Sequence, residues 1–161
     1  MQLRKVAISI IVAASLSTLT ACGAGQNAAS RIITKVTDGA ETTVLTDTSD
    51  LKLRGFLVVA QPDGSAVLVG TIVNSSSTSE EILGISINNV LAKITTDLSE
   101  ISENVPMIFE GGSTNAKAVV AELGAKAGST VDISFFFKTA GIVTVKAIVR
   151  DQRDTYAGVT G

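Results

Sequence analysis

The strongest constraint on the fold is a two-residue period of apolar side chains in the last third of the chain. In residues 131–138 the odd positions are apolar and most even positions are polar, and residues 143–150 repeat the pattern. This period places the apolar side chains on one face of a β-strand, whereas a helix needs them at every third or fourth position. Thr139-Ala140-Gly141 joins the two segments and has a length typical of a β-hairpin. The pattern therefore predicts two half-buried, paired strands.

Further short apolar segments precede this hairpin, separated by turn-forming residues such as Gln61-Pro62-Asp63-Gly64. The predicted strands are residues 51–60, 66–73, 82–87, 91–98, 105–109 and 116–123. Glu80-Glu81, directly before the third of these strands, is compatible with one capped helical turn or with an earlier start of the strand. Seven or eight short strands with little helical pattern predict an all-β fold, an antiparallel β-sandwich of about 100 residues.

The start of the chain has the layout of a secretory leader. Arg4 and Lys5 precede an apolar run that is too short for a permanent membrane helix, which needs about 20 apolar residues. The run ends in Leu19-Thr20-Ala21-Cys22, which resembles a bacterial lipobox. This resemblance implies cleavage before Cys22 and attachment of acyl chains such as palmitate to it. We therefore expect a protein anchored by lipid to the extracytoplasmic face of the cell membrane.

Four regions follow from these patterns. Residues 1–21 are the predicted signal peptide, and residues 22–42 are the lipidated cysteine with a flexible tether rich in small polar residues. Residues 31–36 fit either a first strand or more tether. The β-sandwich is expected over residues 43–151, and residues 152–161 are expected to be a polar tail that frays.

Composition excludes several classes of function. The net charge is −2, and removing residues 1–21, which contain Arg4 and Lys5 but no acidic residue, makes it −4. A mildly acidic protein does not have the basic surface that nucleic acid requires. Cys22 is the only cysteine, so the fold has no internal disulfide, and the chain has no histidine. It therefore lacks the usual general base and the commonest metal ligand, and we expect no enzymatic activity.

Few residues remain as candidates for chemistry or binding. Glu80 and Glu81 are adjacent and, in a strand, would point to opposite faces, which is unsuited to a catalytic pair. A hard cation such as calcium would suit the acidic residues Asp97, Glu100, Glu103 and Glu110, although their spacing matches no known ligand loop.

Two aromatic residues are candidates for a contact surface. Phe56 and Phe136 are both out of phase with the apolar face of their predicted strands, so the alternation sends them outward. The other interpretation is a second buried face beneath a loop, and the sequence favours neither.

From Ala66 onward the chain resembles the periplasmic copper chaperone PCuAC family, and within it the actinobacterial lipoprotein branch called LpqE-like. Three passages carry the resemblance: a strand ending in asparagine (69–75), an acidic-x-Leu-x-x-Ser segment (81–86), and the closing hairpin (126–135 with 138–145). The resemblance implies a cupredoxin/immunoglobulin-like β-sandwich. It also implies methionine and histidine ligands for copper between about residues 91 and 120, where this chain has Met107 and no histidine.

Two hypotheses about function follow. The first is a non-enzymatic accessory module that binds another envelope protein, which the resemblance suggests is a respiratory oxidase complex. The alternative is a copper chaperone with an altered metal site that includes Met107. A small-ligand binding protein is a weaker third hypothesis. One thioether is a poor site for Cu(I), which prefers several soft ligands, so the first hypothesis is favoured and no resident cofactor is expected.

Overall fold

The computed structural model describes residues 38–161, which form ten β-strands and one short 3₁₀-helix, Asp154–Tyr156. The strands are β1 (Ala40–Leu45), β2 (Asp50–Ala60), β3 (Ala66–Asn74), β4 (Ile82–Ile87), β5 (Val90–Leu91), β6 (Lys93–Thr96), β7 (Met107–Phe109), β8 (Ala116–Val120), β9 (Thr130–Phe137) and β10 (Ile142–Asp151). No helix within residues 38–161 is long and apolar enough to cross a membrane.

The strands form two sheets that share β10. In the smaller sheet β9 lies between β4 and β10, and β5 pairs with β4. In the larger sheet β2 lies between β1 and β3, β3 pairs with β7 and β8, and β6 pairs with β8. The end of β10 pairs in parallel with the end of β2 and so connects the sheets. Among the described strands, this pairing and that of β7 with β8 are parallel, and the others are antiparallel.

The predicted all-β sandwich is confirmed, with differences in detail. The predicted closing hairpin is β9 and β10, and in β9 the side chains alternate between the core and the outer surface as the sequence pattern requires. The predicted strand 91–98 is divided into β5 and β6, which raises the strand count. The first strand begins at Ala40, before the predicted domain start at residue 43. Residues 31–36 lie outside the described residues.

Aromatic packing joins the two sheets in the core. Phe56 in β2 contacts Phe135 in β9 with ring centroids 4.7 Å apart, and it also packs near Phe109 in β7 at 6.1 Å. Edge-to-face and tilted pairs of this kind stabilise a core beyond the area that they bury. The main core therefore lies between the inner faces of the two sheets.

A β-bulge in β2 corrects one prediction from the sequence. An uninterrupted two-residue period places Leu51, Leu53, Leu57 and Val59 on a single face and sends Phe56 outward. The pairing of β2 with β3 shifts register between Arg54 and Leu57, and Gly55 within this bulge has a φ of 66°. Because one extra residue reverses the alternation, Phe56 turns into the main core while Leu57 and Val59 turn to the outer face.

A second, smaller core covers that outer face. Leu57, Val59 and Val67 are buried there against Val159 from the end of the chain. The side-chain amide of Gln152 donates a hydrogen bond to the carbonyl oxygen of Val159 at 2.6 Å. The expectation that residues 152–161 form a frayed polar tail is therefore wrong, because Val159 has an apolar surface to cover.

Candidate functional site

The residues expected to anchor the protein cannot be placed. Cys22 and the lipobox residues Leu19, Thr20 and Ala21 lie outside the described residues. Lipidation of Cys22 therefore stays a prediction from the sequence.

Phe56 and Phe136, which the alternation sends outward together, have different environments. Phe56 is fully buried in the core, because of the bulge at Gly55, and does not form a contact surface. Phe136 is partly exposed on the outer face of the smaller sheet. Of the two, only Phe136 is available to a partner.

Met107 is a core residue. It lies in β7 opposite Ile72 of β3, and its side chain is only 3% exposed. Its sulfur is therefore shielded from solvent by the packing of the two sheets. A ligand for an incoming metal ion has to be reachable, so Met107 in this arrangement does not offer a metal site.

The loop between β7 and β8 is fixed by side-chain hydrogen bonds. The Asn115 side chain accepts a hydrogen bond from the Ile108 N–H at 2.8 Å and donates to the Pro106 carbonyl oxygen at 2.9 Å. The Thr114 hydroxyl accepts from the Glu110 N–H at 3.0 Å. These bonds fix the loop that follows Met107 and its neighbours in β7.

A small pocket of about 170 Å³ lies between the end of β6 and the start of β8. It falls within the stretch in which the resemblance places copper ligands. Its lining residues are Thr95, Thr96, Asp97, Thr114, Asn115, Ala116 and Lys117. Their side chains offer hydroxyl, amide, carboxylate and ammonium groups, whereas Cu(I) prefers thiolate, thioether and imidazole. The donor atoms of this pocket therefore do not fit a Cu(I) site.

The acidic residues do not form a cation site either. Glu110 lies near Lys117, with Oε1 and Nζ 3.6 Å apart, and Glu103 forms a β-bridge with Asn74. Within residues 38–161 no group of three or more histidine, cysteine, aspartate or glutamate side chains is close enough to hold a metal ion. The structure thus does not gather Asp97, Glu100, Glu103 and Glu110 at one point.

Glu80 is a buried polar group that was not expected from the sequence. Its side chain is 3% exposed, and its carboxylate accepts hydrogen bonds from the N–H groups of Thr139 at 2.8 Å and Ala140 at 2.9 Å, as well as from that of Glu81. Glu80 thus connects the segment before β4 to the turn between β9 and β10. No local motif distinguishes it from its neighbour, and its backbone pairs with Ile101 instead of forming a helical turn.

Glu81, in contrast, lies at the surface. It forms an ion pair with Lys138, with Oε2 and Nζ 2.9 Å apart. The hydrogen bond from Lys138 to Glu81, together with the attraction between their charges, raises the pKa of Lys138 above its ordinary value of 10.5.

Asn74, at the end of β3, is a second buried polar group. Its amide donates to the carbonyl oxygens of Thr78 and Ile101 at 2.8 Å and 2.9 Å, and its side-chain oxygen accepts from the Ser76 N–H at 2.9 Å. These three bonds fix the loop after β3 against the segment that leads to β7. Asn74 is thus a structural residue.

Phe136 belongs to an apolar area on the outer face of the smaller sheet. It lies between Gly84 of β4 and Ile142 of β10 in the strand register. A Cβ atom on Gly84 would lie 3.5 Å from the Phe136 ring and 3.8 Å from the Leu91 side chain, so both cover this glycine. We call Leu91, Phe136 and Ile142 together the outer patch.

Comparisons with known proteins agree with the fold. The chain matches no protein-family model and no curated protein. It is similar to the solved apo PCuAC domain from PmoF1, at 18% identity and a TM-score of 0.57 over 69% of this chain and 98% of that one. The copper-bound PCuAC domain from PmoF2 gives 17% identity and a TM-score of 0.56 over 69% of this chain and 97% of that one.

The apo PCuAC domain from PmoF2 is also similar, at 13% identity and a TM-score of 0.56. Each of these solved domains is matched over nearly its whole length, so the likeness covers a complete domain. The chain therefore has the PCuAC fold.

Proposed function

We propose that this chain is a non-enzymatic, copper-chaperone-like module that has no Cu(I) site of its own in a single copy. The observation that carries the proposal is the similarity of its fold to whole PCuAC domains, one of them copper-bound. The absence of histidine from the sequence supports the non-enzymatic part, because the usual general base is missing. Assignment to the LpqE-like branch belongs to the proposal and rests on the sequence passages and the lipobox.

The loss of a single-copy Cu(I) site follows from the donor atoms. Apart from Met1 and Cys22, Met107 is the only soft ligand in the sequence, and its side chain is buried. The role that we propose therefore does not include a Cu(I) centre formed by one copy of this chain. The domain would act in copper handling through contacts with another protein.

The proposed location is the extracytoplasmic face of the cell membrane. The lipobox supports it, since acylation of Cys22 would hold the domain at the bilayer. We expect Cys22→Ala to move the protein from membranes to the soluble fraction. Retention of this variant on membranes after a high-salt wash would contradict the anchor.

The proposed partner is an envelope protein that receives copper, with a respiratory oxidase complex suggested by analogy. In copper-limited cells that lack this chain, we expect less copper per oxidase complex. The wild-type chain should restore it and Cys22→Ala should not. If the copper content of the oxidase were unchanged in the deletion strain, a role of this chain in copper handling would be contradicted.

A second candidate is an interaction module with no role in copper handling. The hard donor atoms of the pocket at Asp97 and Asn115, together with the exposed outer patch, favour it. The deletion strain separates the two candidates. Normal oxidase copper together with a specific crosslinked partner of the chain would support the second.

A further inference from the structure

The outer patch is an unusual surface for a small, acidic domain. Leu91 is 73% exposed and Ile142 is 70% exposed, and the partly exposed ring of Phe136 lies between them. Large aliphatic side chains that are exposed singly need no explanation, but a contiguous apolar area commonly marks an interaction site.

The sheet register makes this area contiguous. Residues directly opposite each other in an antiparallel pair have side chains on the same face, which unites Phe136 with Ile142. Leu91 is opposite Ser86, two residues from Gly84, and so has the same orientation. Because Gly84 has no side chain, Leu91 and Phe136 approach each other above it. A larger residue at position 84 would separate them.

The charges around the outer patch are of both signs. Beyond one end lies the ion pair of Lys146 with Asp132, with Nζ and Oδ1 2.7 Å apart. Beyond the other end lies the pair of Lys138 with Glu81, and the exposed Glu100 is also close enough to attract Lys138. A contact with anionic lipid would favour a net positive rim, and this rim has no excess of positive charge.

A rim of this kind is complementary to itself. If two copies meet face to face across a two-fold axis that runs perpendicular to the strands, each end of one patch meets the opposite end of the other. Lys146 and Asp132 of one copy then approach Glu81 and Lys138 of the second, and cations can face anions. Interfaces with two-fold symmetry are the commonest in soluble oligomers.

We infer that the outer patch is the contact surface between two copies of this chain, which pair through Leu91, Phe136 and Ile142. The patch covers on the order of a few hundred Å², below the roughly 800 Å² per partner of a standard stable interface. The dimer is therefore weak in dilute solution. Confinement at the membrane through Cys22, which rests on the proposed anchor, raises the effective concentration and favours pairing.

The test uses the full-length chain in cell membranes, where Cys22 is the only native cysteine. Ile142→Cys is treated with a homobifunctional maleimide, and the parent chain without this change serves as the background. We expect an adduct of twice the protein mass. Adding Leu91→Glu to Ile142→Cys should lower its yield at least fivefold.

Leu45 provides a matched control, since it is 76% exposed and lies on β1 in the other sheet. Leu45→Glu combined with Ile142→Cys should leave the dimer yield unchanged. No dimer adduct, or an equal loss with Leu45→Glu, would overturn the inference. An adduct with a different protein would also overturn the inference, because that protein would then cover the patch. The same holds if Ile142→Cys gives no adduct but is protected from a water-soluble maleimide, because lipid or another protein would then cover it.

This outcome is independent of the copper measurements. Oxidase copper content tests the proposed function, and crosslinking tests the dimer. If the chain forms the crosslinked dimer but its deletion leaves oxidase copper unchanged, the proposed function is contradicted and the dimer is supported.

Discussion

The ring of Phe56 occupies the space in which Gly70 would carry a Cβ atom. Gly70 has a φ of 149°, and a Cβ built on it would overlap the Phe56 ring. The ring cannot retreat, because it is fully buried between Phe109 and Phe135. The bulge at Gly55, which turns Phe56 inward, thus requires a glycine on the neighbouring strand.

Gly70→Ala should therefore destabilise the domain. We expect a loss of about 2–5 kcal/mol, since overpacking costs roughly 1–3 kcal/mol and an unfavourable φ adds roughly 1–2 kcal/mol. Gly112→Ala is the control, because nothing lies within 4 Å of the added methyl group. Urea denaturation measures both. Equal stabilities for the two variants would contradict the close packing of Phe56 on Gly70.

The buried carboxylate of Glu80 predicts a second sensitive position. Glu80→Gln replaces one acceptor oxygen with an amide NH₂ that cannot accept from the N–H of Thr139 or Ala140. We expect a loss of about 2–3 kcal/mol, since a hydrogen bond to a charged group contributes roughly 1.5–3 kcal/mol. Amide hydrogen exchange should also become faster at Thr139 and Ala140.

Glu81→Gln is the matched control for this position. Glu81 is adjacent in sequence, but its ion pair with Lys138 is at the surface, where such pairs contribute little. The stability of Glu81→Gln should stay close to that of the wild type. If it were destabilised as much as Glu80→Gln, the special role of Glu80 would be refuted.

Val159 predicts that the end of the chain contributes to stability. Val159→Ala should cost about 1–2 kcal/mol at roughly 0.8 kcal/mol per buried CH₂, because the side chain packs on Leu57, Val59 and Val67. Val105, which is 42% exposed, supplies the control Val105→Ala. Thermal unfolding measures both variants. If they did not differ, Val159 would contribute no stability and residues 152–161 would be the frayed tail expected from the sequence.

The sequence predicted the elements whose pattern is regular. In β9 and β10 every odd position from 131 to 137 and from 143 to 149 is apolar and most even positions are polar, so their period, pairing and buried residues follow from the order of side chains. In β2 the same reasoning failed at Gly55, because a bulge depends on the partner strand and leaves no certain mark in the sequence. Of the two interpretations left open for Phe56, the outward one was therefore wrong, although the strand itself was right.

Buried residues whose burial depends on segments far away in the sequence were harder to predict. Glu80 and Glu81 have the same side chain, and only the position of the turn at Thr139, far away in the sequence, makes one of them buried. Val159 is an isolated apolar residue in a polar segment, and its role depends on the outer face of β2. For Met107 the sequence indicated the scarcity of soft ligands but not the burial of the one thioether.

We expect this PCuAC fold to form no Cu(I) centre in a single copy of the chain. A competition titration of residues 23–161 against a chromophoric Cu(I) chelator tests it directly. We predict that the chelator keeps the copper, and that Met107→Leu, which removes the sulfur at a packing cost below about 1.5 kcal/mol, gives the same curve. Stoichiometric transfer of Cu(I) to the wild-type protein, lost in Met107→Leu, would contradict the claim and make Met107 a copper ligand.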